Sequence, residues 1–155
     1  MSDQELQLVS FNVGSEEFGV DILKVHEINR MTEITRVPKA PVFVEGVINL
    51  RGKIIPIIDL RKRFGMETKE KDKNTRIVVV EINEQTIGFV VDSVSEVIRM
   101  PMENIDDAPE LVTGIDADYI KGVGKLENNL LILLDLEKVM SKQELQKVEK
   151  INKKK

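Results

Sequence analysis

Apolar and polar positions alternate from Leu6 to Val13 and again from Glu17 to Leu23, with a Gly14-Ser15 pair between them. A period of two interrupted by turn residues predicts a β-hairpin, and Val25-His26-Glu27-Ile28 extends the pattern as a third strand. Pro38 and Pro41 interrupt regular structure. Beyond them, Val42 to Leu50 and Lys53 to Ile58 form two apolar-rich runs separated by Arg51-Gly52. The spacing predicts a second hairpin with a two-residue turn, in which Gly52 supplies the positive φ that tight turns need. Pro56 has no N–H to donate, which places its strand at an edge or turns that position away from a neighbour.

The second half repeats this pattern. At an offset of 69, the distance from Gly19 to Gly88, Val9, Phe11, Val13, Val25, Glu27 and Ile28 fall on Val78, Val80, Ile82, Val94, Glu96 and Val97 in order. At an offset of 76, the distance from Gly46 to Gly122, Leu50, Ile54, Ile55, Ile57, Ile58, Asp59 and Leu60 fall on Leu126, Leu130, Leu131, Leu133, Leu134, Asp135 and Leu136. The apolar scaffold is shared, but Arg51 falls on Glu127, so one exposed turn changes sign. Asn128 would keep that turn in left-handed backbone as Gly52 does. Asp59 and Asp135 each follow an apolar strand and are placed to N-cap short helices.

The polar stretch from Met66 to Asn74 separates the copies, giving repeats at 6–65 and 75–140 within one domain of 155 residues. Copies of this size bury too little surface alone and are expected to share a core. Strands exchanged between the two units are compatible with the pattern. An acidic excursion runs from Met100 to Tyr119. Ser141 and Glu144 form a capping box before Leu145, Val148 and Ile151, which predicts a C-terminal helix and basic tail over 141–155. Many short strands and few helices indicate a mainly β chain built as two small barrels.

Composition narrows the function. A formal charge of −4 disfavours a phosphate-backbone binder, so nucleic acid is not an expected partner. The start is polar and acidic, without a secretory pattern, and no apolar run approaches the roughly 20 residues of a membrane helix. With no cysteine, thiolate metal sites and disulfides are excluded, and a cytoplasmic setting is expected. No cofactor is implied. Ser10, His26 and Asp21 could be assembled on paper as a triad, but no nucleophile turn frames a serine. Asp106, Asp107, Glu110, Asp116 and Asp118 miss the calcium-loop spacing, and Gly122-Val123-Gly124-Lys125 lacks that of a phosphate loop. A non-enzyme is the expectation.

Three segments carry a resemblance. Phe18 to Ile28, Phe43 to Leu60 with its Gly46-Val47-Ile48-Asn49-Leu50-Arg51-Gly52 stretch, and Gly88 to Val94 resemble the CheW family of bacterial chemotaxis coupling proteins, from about Leu6 to Met140. The resemblance implies two SH3-like five-stranded barrels around a shared core. It also implies an adaptor joining the cytoplasmic helical-hairpin tips of chemoreceptors to the regulatory domain of the histidine kinase CheA, monomeric alone and assembled in receptor arrays. Flagellar, pilus and other pathway outputs remain open. A generic SH3-type peptide module is a weaker alternative, because one Tyr, five Phe and no Trp leave little for an aromatic groove.

Two groups of residues follow. Val25 and Val94 are equivalent in the copies, and Ile22, Val91 and Glu27 lie beside them. If these strands border a groove, a receptor helix could lay an apolar stripe there, with Glu27 as a charged rim contact; otherwise the four apolar residues are core. Arg51, a long cation at a hairpin tip, is better placed to meet a partner than to stabilise its own barrel. Phe43 and Val44 are either a partner-facing apolar patch or a lid on the barrel. Gly46 and Asn49 join this kinase-side group because they belong to the family's functional segment.

Overall fold

The structure, a computed structural model, describes residues 5–106, 119–140, 143, 144, 146 and 147. Among them are eleven strands in two sheets: β1 (Glu5–Val13), β2 (Glu16–Asp21), β3 (Val25–Arg30), β4 (Val44–Leu50), β5 (Lys53–Asp59), β6 (Arg76–Ile82), β7 (Gln85–Val91), β8 (Ser93–Pro101), β9 (Ile105–Asp106), β10 (Ile120–Lys125) and β11 (Leu130–Leu134). Two four-residue helices, α1 (Leu60–Arg63) and α2 (Leu136–Val139), follow β5 and β11. One sheet runs β8-β1-β2-β11-β10-β9, the other β3-β6-β7-β5-β4.

Each sheet draws on both halves of the chain. The hairpin β1–β2 lies among β8, β10 and β11, and β6–β7 lies among β3, β4 and β5. A parallel pair makes each join: Ile57 opposite Gly88 between β5 and β7, and Leu133 opposite Gly19 between β11 and β2. The registers match the two sequence offsets, since Ile57 and Leu133 are equivalent, as are Gly19 and Gly88.

Closure is also repeated. The segment after β3 returns to bridge Thr35 with Val47 of β4, and β9, after β8, pairs Asp106 with Val123 of β10. The second unit is therefore a six-stranded sheet, with β9 added to the five expected strands. Pro56 sits in a strand internal to its sheet, one residue before the parallel ladder to β7 begins at Ile57, where no ladder N–H is required.

Three apolar clusters follow from this layout. Ile48, Ile55, Ile57, Ile77, Val79 and Val90 fill the first barrel, and Leu8, Met100, Leu131 and Leu133 fill the second. Between them, Val9, Phe11 and Phe18 of one sheet meet Val78, Val80 and Phe89 of the other in a shared core. Strands β1, β2, β6 and β7 are consequently buried on both faces, as Leu8, Val9, Ser10 and Phe11 show in succession. Simple in-out alternation described only one of those faces.

The short helices are held by local chemistry. Asp59 Oδ1 accepts from the Arg61 N–H at 2.9 Å, and Asp135 Oδ1 from the Glu137 N–H at 3.2 Å, the N-cap geometry that satisfies orphan amides. Side chains on α1 then tie distant segments together. Arg61 makes a two-bond pair with Asp92 (2.9 and 2.6 Å), whose Oδ2 also accepts the Gly14 N–H. Arg63 donates to the Val139 carbonyl and to Glu144, and its guanidinium lies 5.0 Å from the Phe43 ring centroid and 5.3 Å from that of Tyr119. Gln143, Glu144, Gln146 and Lys147 are helical. The rest of the expected C-terminal helix, and the acidic excursion over 107–118, lie outside the described residues.

The parallel joins require glycine. A Cβ on Gly88 would stand 2.7 Å from Ile57 Cδ1 and 2.8 Å from Ile77 Cγ2; on Gly19 the nearest atom, Leu131 Cδ2, would be at 3.0 Å. Gly88→Ala should therefore lower unfolding free energy by about 1–3 kcal/mol, the usual cost of overpacking, and by more than Gly19→Ala. Urea denaturation of both variants checks the order, and equal, negligible losses would contradict it. Burial alone would raise the Asp92 pKa, but the Arg61 guanidinium and the Gly14 N–H outweigh it and hold the carboxyl below its ordinary value. This contribution is present above the unfolded value of about 3.9 and disappears as pH falls through the folded one. The stability gap between the wild-type chain and Asp92→Asn should thus narrow between pH 7 and pH 2.5; a constant gap would exclude the linkage.

Candidate functional site

The Arg51-Gly52 turn joins β4 to β5 directly, with Leu50 opposite Lys53. Arg51 has φ 54° and Gly52 φ 86°, the pair of positive values that defines a type I′ hairpin turn. Asn49 Oδ1 accepts the Gly52 N–H at 2.8 Å and fixes the turn from within. Glycine adopts this backbone without penalty; arginine does not. The Arg51 side chain is 70% exposed. It reaches across to β3, where its Nη2 donates to Glu27 Oε2.

That contact holds the Glu27 carboxyl below the ordinary carboxylate range, chiefly through the hydrogen bond from Arg51, and raises the arginine in turn. Two residues assigned by sequence to different partner groups thus form one exposed ion pair. The equivalent hairpin is built differently. Leu126 N–H donates to the Asn129 carbonyl, and neither Glu127 nor Asn128 takes a positive φ, contrary to the expectation for Asn128. A longer loop between Lys125 and Leu130 relieves the need for left-handed backbone.

Glu27 and Val25 owe their directions to a bulge. Val25 pairs with Val80 and Glu27 with Val79, so β3 carries one extra residue, and the same irregularity recurs in β8, where Val94 faces Phe11 and Val97 faces Val9. A bulge re-aims the side chains beyond it. Val25 and Val94 therefore pack partly buried against the shared core, while Ile28 (39% exposed) and Val97 (54% exposed) point outward on the edge strands of the two sheets. The contact groups named from the sequence left out Val97, and Ile28 entered only as the end of the Val25–Ile28 segment that the family resemblance ties to receptor binding. Their equivalence under the 69-residue offset was the available signal; the bulge that exposes them was not visible.

The remaining candidates divide. Ile22 and Phe43 are partly exposed and rest on the same shared core. Val91 and Val44 do not reach the surface: they are 1% and 8% exposed, because each side chain packs in that core. Gly46 is buried at a bulge with φ 151°, and a Cβ there would stand 2.2 Å from the Thr35 carbonyl oxygen, so its role is closure of the barrel. Asn49 is exposed, but its side-chain carbonyl is committed to the turn. Val91, Val44 and Gly46 are therefore interior residues that shape the surface from beneath, while Asn49 stays exposed with its Oδ1 used by the turn.

His26 is exposed and pairs with Glu81 at 2.8 Å, with no serine in the arrangement. No cluster of His, Cys, Asp and Glu that could hold a metal occurs among the described residues, and none of their helices is long and apolar enough to cross a membrane. The aromatic side chains stack inward, Phe11 on Phe18 at 6.0 Å, Phe18 on Phe64 at 5.2 Å and Phe64 against Tyr119 at 6.1 Å, rather than lining a peptide groove.

A doubled SH3-like β scaffold whose distinctive surface is an exposed ion pair beside apolar edge strands defines a protein-binding module. Residues 7–144 match the CheW-like domain family. The chain is 41% identical over 147 residues to the chemotaxis protein CheW of Klebsiella aerogenes, covering 95% of this chain and 89% of that protein. It is 37% identical to that of Treponema pallidum, covering 96% and 89%. The crystal structure of the scaffolding protein TtCheW from Thermoanaerobacter tengcongensis superposes with a TM-score of 0.83 at 40% identity, covering 89% of this chain and 94% of that one. The chain belongs to the CheW family, whose members named here are chemotaxis and scaffolding proteins and not enzymes.

Replacing Arg51 with Gln should let the Glu27 carboxyl titrate closer to its ordinary value. Carboxyl-detected NMR titration checks this, and an unchanged Glu27 curve would show that the ion pair is not populated in solution.

Proposed function

We propose that this chain is a non-enzymatic adaptor that couples the cytoplasmic tips of chemoreceptors to the histidine kinase CheA. One observation carries the reading. Arg51 occupies left-handed backbone at a two-residue turn, where glycine or asparagine would cost less, and its largely exposed side chain contributes only a surface ion pair to the fold. Exposed pairs add little stability. A residue that strains its own turn for so small an internal return serves a contact outside the chain.

The relatives' names support the same reading, since they are chemotaxis and scaffolding proteins of nearly the same length. In this account the receptor hairpin lies along the partly exposed Ile22, Val25 and Val94, with Glu27 at the rim. CheA meets the Arg51 tip and the Phe43 side of the first barrel. Specific contacts of this kind bury roughly 800 Å² per partner. An adaptor alters kinase output only if its affinity differs between the kinase's active and inactive states. The setting is the cytoplasmic face of a receptor array, with the chain monomeric outside it.

Arg51→Glu, which copies the equivalent turn of the second half, should weaken partner binding about fivefold or more, the scale of an interface anchor, and leave the melting midpoint within a few degrees. The double exchange Glu27→Arg with Arg51→Glu restores an internal pair of reversed polarity. Binding of a CheA fragment that stays weak in the double variant assigns Arg51 to the partner; full recovery would reduce it to an internal brace. Val25→Asp and Val94→Asp should impair co-sedimentation with a receptor-tip fragment while sparing that with a CheA fragment. Loss of both, together with the folded circular dichroism signal, would make these valines structural.

A further inference from the structure

The chain between β3 and β4 walls a concavity of about 920 Å³ on the first barrel, with α1 and the inter-repeat connection completing its rim. Four cations stand around it on three segments: Arg36 and Lys39 on the wall, Lys62 on α1 and Lys71 on the connection. Glu45 is the one carboxylate in the lining, and it is already shared by Lys62 at 2.7 Å and Lys71 at 3.5 Å. Arg36 and Lys39 are exposed, and no carboxylate among the described residues lies within ion-pair distance of either. The rim thus carries an excess of three positive charges on a chain whose net charge is −4.

The wall is fixed in shape. Thr35 exchanges two backbone hydrogen bonds with Val47, at 2.9 and 2.8 Å, and Val44 N–H donates to the Pro41 carbonyl at 3.0 Å. Pro38 and Pro41 limit the backbone on either side of Lys39, which holds φ 66°. A rigid rim orders little on binding, so less conformational entropy opposes a ligand there. Between the charges lies apolar surface: Met31, Ile34 and Val37 are half-buried, and Val42 is 87% exposed at the mouth.

We propose that this concavity is a docking site for an acidic peptide segment of a protein partner, its carboxylates meeting Arg36, Lys39, Lys62 and Lys71 and its apolar side chains meeting Val42 and the wall behind it. Four cations spread over three separate segments suit charge strung along several residues. A compact phosphate would call for converging backbone amides, as in a glycine-rich cradle, and the lining contains no glycine. This site lies apart from the Arg51–Glu27 pair, although Val42 and Val44 of its lining flank Phe43, and it does not rest on the adaptor reading, so either can fail alone.

The test uses the full chain and a fluorescent twelve-residue peptide of alternating Glu and Leu pairs, followed by anisotropy at low and high salt. Binding should weaken steeply with salt. Arg36→Glu with Lys39→Glu should reduce affinity at least about tenfold, about 1.4 kcal/mol by conversion, with unchanged melting. Lys121→Glu with Lys138→Glu, an equal charge change at exposed positions outside the lining, should stay within about twofold. Equal losses in the two double variants would reduce the effect to net charge and overturn the proposal, as would absence of binding by the wild-type chain. Displacement of the peptide by millimolar inorganic phosphate or ATP would overturn it in favour of a small-anion site.

Discussion

The architecture depends on two parallel strand contacts, β5 on β7 and β11 on β2, each at a glycine that leaves room for aliphatic side chains of its own barrel. Ile57, Ile77 and Ile55 crowd the space above Gly88; Leu131 and Leu133 crowd that above Gly19. Because each contact joins strands from opposite halves of the chain, neither barrel is complete without a hairpin from the other copy. The four exchanged strands then have a barrel interior on one face and the shared core on the other, and they supply half of the buried hydrophobic side chains among the described residues. Halves this small bury too little surface to stand alone, and the exchange gives them one continuous interior.

The same exchange sets what faces outward. With β1–β2 and β6–β7 in the middle of the sheets, β3 and β8 are left at edges, each with a bulge at the equivalent place and an apolar residue turned outward. Exposed edges invite pairing with another chain, and bulges together with charged neighbours such as Glu27, Arg30, Glu96 and Arg99 restrain it. The scaffold is close to two-fold, but the surface is not. The first barrel carries Arg51 on a strained two-residue turn and a cationic concavity; the second has a longer acidic turn and is closed by β9. Duplication supplied a stable frame, and divergence at its loops supplied two unlike faces.

Much of this was legible in the sequence because the repeat registers are gap-free within each block. The 69- and 76-residue offsets predict which strands are equivalent, and the parallel contacts obey them residue by residue. Asp59 and Asp135 were legible as caps because N-capping is a local rule. For Val91 and Val44 the sequence left interior and partner-facing readings both open, since alternation reports one buried face and cannot see a second layer packed on the other. The bulges in β3 and β8 leave no mark in a period-two pattern, so the outward turn of Ile28 and Val97 was missed. Asn49 reads as a surface amide until the turn places the Gly52 N–H 2.8 Å from its oxygen. Which hairpin completes which barrel was open for a simpler reason: the two copies offer nearly the same edge.

The central claim is that two unlike faces of one rigid frame hold two different proteins at once. Amide hydrogen exchange of the intact chain, measured alone, with a receptor-tip fragment, with a CheA fragment and with both, tests it most directly. The account predicts protection of β3 and β8 by the first, protection of the β4–β5 turn and the Phe43 region by the second, and the sum of the two patterns in the ternary sample. Protection of one common set of amides by either fragment, with each displacing the other, would contradict it.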